Sequence, residues 1–421
     1  LEESIGRAEQ AVDERLGIVE AIGEHESFPA PYYLANLADT SGFSDGIVPE
    51  RAAGVAVDWD TAFMKALGES LERYSGAMYR RDSFHRAPVS EIDGPSPAVF
   101  VRPDDRPTPS PAEELAWVPG RDLDTGAETY LPAGLVHFPS PDSRFVPAIT
   151  SGLGLGNGTV EAIIAGLTEL VERDATMIGW YSTFEPLSLE VPGEEYERLS
   201  RRAAGEGLSV EAVLFTQDID VPVVSVAVHR DEWPRFAAGS AAGLDATNAA
   251  VSALAEALQN WMELRGMGES EASDASGAIG RYAEDPGPAL EHFSAETAAS
   301  ADRVGPDDPP EGRVALDLLV ERVTSAGLDG YAARITPRDV EELGFEAVRV
   351  LSPQAQPLFV AVGACSFRLW TAAAHRQPAL AAQDHFIDVM KREVPIWKHP
   401  IWASETAPTP QAQTEVSCDK L

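Results

Sequence analysis

The sequence predicts an α+β fold with mixed β-sheets and three long helices that each follow a glycine-bearing segment. Two observations predict it: apolar residues recur at helical spacing in the helical segments, and short β-branched runs separate these segments. Residues 221–230 (VPVVSVAVHR) form the clearest buried strand. Further strand candidates are residues 98–102, 331–335, 347–351 and 358–362.

The composition is that of an acidic but globular protein. The chain has 421 residues, 68 Asp and Glu against 32 Lys and Arg, and a formal net charge of −36. Hydrophobic residues make up 44%, which excludes an acidic disordered chain. Binding to nucleic acid needs clustered Lys and Arg, and the sequence has no such cluster. We therefore expect neither a nucleic-acid partner nor an anionic membrane surface.

The basic residues are strongly biased towards arginine. Only four of them are lysines, namely Lys65, Lys391, Lys398 and Lys420. An acidic, lysine-poor surface is typical of a protein that stays hydrated in molar salt, where the Debye length falls to roughly 3 Å. We therefore expect a halophilic, cytoplasmic protein, and an ordinary acidic protein from a high-GC genome is the alternative.

The chain divides into three expected regions. These are an N-terminal segment (1–50), a core (51–360) with a solvated acidic insertion at about 262–312, and a C-terminal helical segment with a polar tail (361–421). The two cysteines, Cys365 and Cys418, exclude a disulfide framework, and we expect Cys365 to lie in the core. The chain starts at Leu1 rather than at a methionine, which leaves its true start open.

An internal repeat is the most informative feature. Residues 66–74, 166–174 and 253–261 share the pattern small, Leu, any, Glu, any, Leu or Val, Glu or Gln. Each copy follows glycines: Gly54 for the first, the run 151–159 for the second, and Gly239 with Gly243 for the third. Asp58 and Thr247 are the expected N-caps of the first and third helices.

Helical geometry places the polar residues of each copy together. Residues advance by about 100° along a helix, so Glu69 and Glu72 face away from the apolar stripe and neighbour each other. In such an acidic sequence a solvated face is the simpler interpretation. The same ExxER spacing also occurs at residues 194–198, but without a glycine approach or the small-Leu prefix.

If the three polar faces converge, five carboxylates and an amide share one cleft. Oxygen ligands of this kind suit Mg²⁺, and more than one ion could then hold a triphosphate. The glycines of 152–158 would allow phosphate oxygens to approach a helix N-terminus. The sequence has no GxxxxGK[ST] motif, and GLGLGNG does not fit GxGxxG, so a P-loop or a dinucleotide fold is not expected.

These motifs resemble the YcaO family of ATP-dependent enzymes that modify peptide backbones. The resemblance covers residues from about 31 to 358. The third copy matches the family's SxxxExxQ motif in full, the second matches ExxER, and the first departs from SxxxExxER because Lys65 stands in place of Ser. A lysine at this position is itself long enough to reach a phosphate. Residues 334–350 resemble the family's C-terminal β-rich segment.

The resemblance implies a YcaO-like fold, in which the three helices converge on a nucleotide cleft that holds ATP and Mg²⁺. The implied metal ligands are Glu69, Glu72, Glu169, Glu172 and Glu256. The implied nucleotide-binding residues are Lys65, Arg73, Arg173, Ser252 and Gln259. The alternative role of the two arginines is a salt bridge that orients a neighbouring glutamate. No individual catalytic residue is assigned.

The implied activity is phosphorylation of a backbone amide oxygen, giving an azoline by cyclodehydration or a thioamide. Azoline-forming members often end in PxPxP, whereas this tail has only Pro408 and Pro410, so both chemistries stay open. We expect a peptide or protein substrate, and a separate partner that presents the substrate or donates sulfur. A homodimer is the oligomeric alternative to a monomer. An inactive YcaO-like scaffold that binds a nucleotide or a partner is the alternative function.

Overall fold

The computed structural model describes residues 1–25, 28–102, 106–147, 149–181, 185–267, 282–295 and 297–358. The predicted C-terminal helical segment, the polar tail and both cysteines lie outside these residues, as does nearly all of the strand predicted at 358–362.

The helices and strands are numbered here in chain order. The helices are α1 Glu2–Ala8, α2 Trp59–Ala77, α3 Ala133–Val136, α4 Thr159–Tyr181, α5 Glu194–Gly205, α6 Ala246–Gly266, α7 Gly287–Leu290, α8 Gly312–Ser325 and α9 Arg338–Glu342. The strands are β1 Val19–Glu24, β2 Tyr32–Leu37, β3 Arg51–Val55, β4 His85–Pro88, β5 Glu114–Asp122, β6 Glu128–Pro132, β7 Leu153–Gly156, β8 Leu187–Glu190, β9 Ser209–Leu214, β10 Val223–His229, β11 Phe236–Ala242, β12 Ala298–Ser300, β13 Tyr331–Arg334 and β14 Glu346–Leu351.

The strands form three sheets. A three-stranded antiparallel sheet has the order β1-β2-β3. A five-stranded sheet has the order β11-β10-β9-β8-β12, and its last pair is parallel. A six-stranded sheet has the order β4-β5-β13-β14-β7, with β6 also paired to β5. The predicted α+β class with mixed sheets is therefore confirmed. No helix among the described residues is both long and apolar enough to cross a bilayer.

Most of the predicted strands that fall on described residues are present. β10, β13 and β14 occupy the segments expected at 221–230, 331–335 and 347–351. The strand expected at 98–102 is wrong, because Pro97–Val99 is a 3₁₀ turn in which the Ser96 hydroxyl accepts a hydrogen bond from the Ala98 N–H. The fixed φ of Pro97 favours this turn, although the apolar residues that follow it would suit a strand.

The segment 262–312, expected to be a solvated insertion, is exposed at residues 302, 303, 305, 307 and 308 but packs on the core at other described positions. Helix α6 continues to Gly266 and buries Met262 and Leu264. Further along, Phe293 and Ala301 are buried, and β12 extends the five-stranded sheet. Scattered apolar residues in a polar stretch are enough to attach it to the core, which composition alone does not reveal.

Three strand–turn–helix units organise the molecule: β3 with α2, β7 with α4, and β11 with α6. In each unit the helix packs directly on its own strand. A Cβ at Gly54 would lie 2.2 Å from the Ala62 carbonyl oxygen and 2.3 Å from the Ala66 nitrogen. Gly154 and Gly239 meet α4 and α6 just as closely. The glycine-rich run before the second helix is thus a strand, and its glycines permit close strand–helix packing.

Helix caps fix where two of these helices begin. Asp58 caps α2 as predicted, since its carboxylate accepts a hydrogen bond from the Thr61 N–H at 2.9 Å. The predicted cap of α6 is wrong, because Asp245 rather than Thr247 is the N-cap and accepts from the N–H groups of Thr247 and Asn248. The chain turns two residues earlier than the sequence suggested, and the carboxylate there reaches both N–H groups.

Candidate functional site

The first glutamate of each repeat is anchored to its own strand–turn–helix unit. One carboxylate oxygen accepts a hydrogen bond from a backbone N–H in, or immediately before, the strand that precedes its helix. The donors are Ala53 for Glu69 at 2.6 Å, Gly152 for Glu169 at 2.7 Å and Ser240 for Glu256 at 3.0 Å. The same contact made three times holds each carboxylate in place and leaves its second oxygen to face its neighbours.

Arg173 joins the second and third units. Its Nη2 lies 3.8 Å from Glu169 Oε1 and 3.9 Å from Glu256 Oε1, and its Nε lies 3.4 Å from Glu172 Oε1. Against the cost of burial, the charges of these three carboxylates raise the pKa of Arg173. The polar faces of α4 and α6 therefore form one charged cluster around a guanidinium group.

The first unit faces the same cluster. Burial raises the pKa of Glu72 to about 8, and the negative charges of Glu169 and Glu69 add to the rise, while Arg73 and Arg349 oppose it. The charge of Glu169 acts on Glu72 and that of Glu256 acts on Glu69, so the polar face of α2 lies near those of α4 and α6. The five predicted carboxylates are therefore close enough to influence one another's charge. The region between the three polar faces is called the cleft.

The carboxylate of Glu172 is the most confined of the five. Its residue is 7% exposed, and its Oε1 has no hydrogen-bond partner among the described residues. Burial raises the pKa of Glu172 well above its ordinary value, Arg173 opposes the rise, and Glu256 and Glu169 add to it. An additional cation in the cleft would relieve this electrostatic cost.

The residues present fit Mg²⁺ that arrives with a phosphate. Within the described part of the chain, no three His, Cys, Asp or Glu side chains are grouped closely enough to hold an ion by themselves. Mg²⁺ commonly takes one or two carboxylates and obtains its other ligands from phosphates and water. Glutamates anchored by backbone N–H groups, and a buried Glu172 oxygen that accepts no hydrogen bond from the described residues, match this ligand set.

Two of the predicted nucleotide-binding residues lie on α2. Arg73 Nη2 is 2.6 Å from Glu69 Oε1, so this arginine does orient a glutamate. Lys65 lies one helical turn before Glu69 with an accessible side chain, but the surrounding protein desolvates its ammonium group and lowers its pKa. The charges of Glu256 and Asp58 oppose this shift, which places Lys65 within the influence of the third unit.

The third unit contains a glutamate that the sequence patterns missed. Gln259 donates a hydrogen bond from Nε2 to Glu263 Oε1 at 3.2 Å, and the Tyr32 hydroxyl donates to the same oxygen at 3.0 Å. Glu263 also contributes to the raised pKa of Glu69. Its spacing of four residues from Gln259 was the available signal. Ser252 lies one helical turn before Glu256 and is partly exposed.

The sequence patterns also missed Arg349 as a residue of this region. It lies on β14, is 2% exposed, and donates to the carbonyl oxygens of Thr150 at 2.7 Å and Ile149 at 3.0 Å. Burial lowers the pKa of Arg349 to about 10, while the charges of Glu169 and Glu72 oppose the decrease. An arginine within an otherwise apolar strand was the signal in the sequence.

The family model described as YcaO cyclodehydratase, ATP- and Mg²⁺-binding, matches residues 53–356. This chain belongs to the YcaO family. The family resemblance drawn from the three repeats is thereby confirmed, and the expected cofactors, ATP and Mg²⁺, are those that the family description names.

Several known proteins are similar to this YcaO chain. An uncharacterized protein from Methanothermobacter thermautotrophicus is 29% identical over 219 residues, which cover 49% of this chain and 56% of that protein. The match thus spans only about half of that curated relative. The YcaO structure from Methanopyrus kandleri bound with AMPPCP and Mg²⁺ is 26% identical, has a TM-score of 0.67, and is matched over 84% of this chain and 91% of its own.

Two more distant structures share the fold alone. A heterocyclase in complex with substrate and cofactor has a TM-score of 0.72 and 21% identity, over 85% of this chain and 52% of its own. The E. coli microcin synthetase McbBCD complex has a TM-score of 0.56 and 12% identity, over 80% of this chain and 87% of the matched chain. Their agreement supports the α+β fold of this chain.

Proposed function

We propose that this protein uses ATP and Mg²⁺ to phosphorylate the oxygen of a backbone amide in a peptide or protein, giving an azoline or a thioamide. The observation that carries the proposal is the approach of glutamates from three strand–turn–helix units: Arg173 joins those of the second and third, and the charge of Glu169 acts on Glu72 of the first. Membership of the YcaO family supports it, as does the related M. kandleri structure bound with AMPPCP and Mg²⁺.

The five glutamates would act as metal ligands rather than as general bases. Each first glutamate is held by a strand N–H, so its second oxygen is positioned before any ligand binds. When bound, Mg²⁺ offsets the negative charge of the phosphates and of the phosphoryl group in transfer. Arg173 and Arg73 add fixed positive charge to the same cleft, and Lys65 adds more when its ammonium group is protonated, which favours an anionic ligand in a protein of net charge −36.

The proposed reaction has two stages, phosphorylation of the amide oxygen and loss of phosphate. A nucleophile adds to the amide carbonyl carbon, and the resulting oxyanion forms a bond to the γ-phosphorus of ATP, which releases ADP. Phosphate then leaves with the former amide oxygen. If the nucleophile is a side-chain thiol or hydroxyl of the substrate, loss of the N–H proton gives the C=N bond of an azoline. If it is an external sulfide, the product is a thioamide.

Substrate delivery is the second part of the proposal. The McbBCD synthetase is a complex, and the heterocyclase structure holds a substrate. We propose that this protein likewise works with a separate protein that presents the peptide or supplies sulfur. Purification of the tagged protein from its native cells, followed by mass spectrometry of what accompanies it, would test this requirement.

Hydrolysis of ATP is the direct test of the enzymatic proposal. In molar KCl, the wild-type protein should hydrolyse ATP slowly and only with Mg²⁺. Glu169→Gln and Glu256→Gln should each reduce the rate at least about tenfold, since each removes a metal ligand. Glu197→Gln is the matched control, because Glu197 belongs to the ExxER sequence of α5 but is 61% exposed and pairs with Arg201.

Two results would count against the enzyme. A wild-type rate that both site substitutions leave unchanged would contradict the metal cleft. Nucleotide binding without any turnover, with the partner protein present, would favour the scaffold instead, for which the presence of Lys65 in place of Ser is the motivation.

A further inference from the structure

In two of the three units, a side chain of the helix donates a hydrogen bond to an equivalent backbone carbonyl. In the first unit Arg73, four residues after Glu69, donates to the carbonyl oxygen of Arg51 at 2.5 Å. Arg51 lies two residues before Ala53, whose N–H binds Glu69. The residue four positions after the glutamate therefore binds a strand carbonyl that lies close to the N–H bound to the glutamate.

The third unit repeats this arrangement with a different side chain. Asn260, four residues after Glu256, donates from Nδ2 to the carbonyl oxygen of Ala238 at 2.8 Å. Ala238 lies two residues before Ser240, whose N–H binds Glu256. An arginine and an asparagine thus occupy equivalent positions and satisfy equivalent carbonyls.

The second unit departs from this arrangement. Its equivalent carbonyl is that of Thr150, two residues before Gly152, whose N–H binds Glu169. The donor to Thr150 is Arg349 from β14, at 2.7 Å. Arg173, which stands four residues after Glu169, lies instead among the carboxylates of the cleft.

We propose that Arg349 is a positioning residue that keeps Arg173 in the cleft by satisfying the Thr150 carbonyl in its place. The proposal rests on the proposed function, in which Arg173 meets the phosphates of ATP. Arg349 is 2% exposed, so it does not face the ligand itself. Its strand is fixed to the same loop, because the N–H of Val350 donates to the carbonyl oxygen of Gly152 at 2.7 Å.

Removal of Arg349 would leave the Thr150 carbonyl with the Leu153 N–H, at 3.0 Å, as its backbone donor but without a side-chain donor. A carbonyl oxygen has two lone pairs, so this oxygen could then accept a hydrogen bond from another side chain. Arg173 occupies the position from which Arg73 and Asn260 reach the equivalent carbonyls, so it is the residue expected to move. Its guanidinium would then leave Glu172 and Glu256, and the cleft would lose its central cation.

A double-mutant cycle on nucleotide binding tests this coupling. The Kd of AMPPNP with Mg²⁺ would be measured by calorimetry in molar KCl for the wild type, Arg173→Gln, Arg349→Met and the double variant. We expect each single substitution to raise the Kd roughly 10- to 100-fold. The Kd of the double variant should be no higher than that of the single variant that binds less tightly. The rise in Tm on adding Mg²⁺ and AMPPNP should be smaller in each variant that binds less tightly.

Two further variants separate positioning from general damage. Arg349→Lys keeps the charge but can satisfy the two carbonyls only in part, so its Kd should lie between those of the wild type and Arg349→Met. Arg102→Lys changes another arginine that holds two backbone carbonyls, those of Arg106 and Pro107, and should bind as the wild type does. If Arg349→Met does not fold, the cycle is run with Arg349→Lys.

The outcomes are distinct. Wild-type affinity in the Arg349 variants, or fully additive losses in the double variant, would overturn the role of Arg349 while the proposed function stands. Failure of the wild type to bind AMPPNP with Mg²⁺ would overturn the proposed function, and this inference with it.

Discussion

At the scale of single residues, a hydrogen bond from the preceding strand or the residue before it marks three of the proposed metal ligands, Glu69, Glu169 and Glu256. The ExxER sequence of α5 has the same spacing as that of α4, yet Glu197 is exposed and pairs with Arg201 in solvent. Glu169, by contrast, accepts a strand N–H and lies beside Arg173. Because 68 residues are acidic, spacing alone could not separate the two cases. The glycine-bearing strand ahead of the helix separates them.

The stability of the protein without metal should depend on pH through Glu72. Its pKa in the folded protein is about 8 against an ordinary value of 4.5, so the folded state holds a proton that the unfolded chain has lost between these values. This contribution to stability is full below pH 4.5 and is lost as the pH rises through about 8. In EDTA, the Tm should therefore fall from about pH 6 to about pH 8.5, and Glu72→Gln should flatten the fall.

Thermal melts of Glu72→Gln and of the solvent-exposed control Glu197→Gln at both pH values would check this prediction. Equal pH dependence in the wild type and in Glu72→Gln would show that Glu72 does not hold the proton.

Binding of Mg²⁺ with a nucleotide should respond to pH in the opposite direction. A metal ligand must lose its proton, so affinity should rise with pH below about 8, by at most about tenfold per pH unit for one proton. Calorimetry of AMPPNP and Mg²⁺ in buffers with different ionisation enthalpies would count the protons released. An affinity that is the same at about pH 6 and about pH 8 would contradict this linkage.

At the scale of elements, the strand–turn–helix unit explains why glycines precede each repeat. The backbone of α2 approaches β3 at Gly54 so closely that a methyl group has no space. This approach brings Glu69 within 2.6 Å of the Ala53 N–H. The glycines therefore serve the site indirectly, by setting the distance between strand and helix.

Gly54→Ala should damage both stability and the site. Its new Cβ would lie 2.2 Å from the Ala62 carbonyl oxygen, which forces α2 away from β3. We expect a loss of about 1–3 kcal/mol in the free energy of unfolding and weaker binding of AMPPNP with Mg²⁺. The matched control is Gly68→Ala on the same helix, where a Cβ meets nothing within 4 Å.

Chemical denaturation and calorimetry of the two alanine variants would measure these effects. Gly68→Ala should be neutral or up to about 1 kcal/mol more stable, because alanine favours helix. If Gly54→Ala is as stable as Gly68→Ala, close packing does not set the strand–helix distance.

Local features of the fold could be predicted from the sequence, whereas long-range ones could not. The three helices, the Asp58 cap and strands β10, β13 and β14 follow from periodicity and capping chemistry. Arg349 escaped prediction because its partner Ile149 lies 200 positions away. The cap at Asp245 depended on where the chain turns, which apolar periodicity does not specify.

At the scale of the whole molecule, most of the charge is separate from the chemistry. The net charge of −36 comes from 68 acidic against 32 basic residues, and five of the acidic residues are distinguished by their position in the repeat. The rest repel one another wherever salt does not screen them. Glu263 belongs with the five in space, since it affects Glu69, but it follows no motif of the repeat.

Stability should therefore rise with ionic strength. The Debye length is about 10 Å at 0.1 M salt and about 3 Å at 1 M, so the repulsion between surface carboxylates weakens over this range. We expect the Tm to increase steadily from low to molar KCl, and equally in potassium acetate of the same ionic strength. A Tm that stays constant as salt is removed would contradict adaptation to high salt.

Under the proposed function, glutamates of three separate units form one site for ATP and Mg²⁺. The most direct measurement is calorimetry of AMPPNP, with and without Mg²⁺, on the wild type, Glu69→Gln, Glu169→Gln and Glu256→Gln, with Glu197→Gln as control. We predict that the wild type and the control bind only when Mg²⁺ is present, and that each of the other three variants binds at least about tenfold more weakly. Undiminished binding in any one of the three would show that its unit does not contribute to the site.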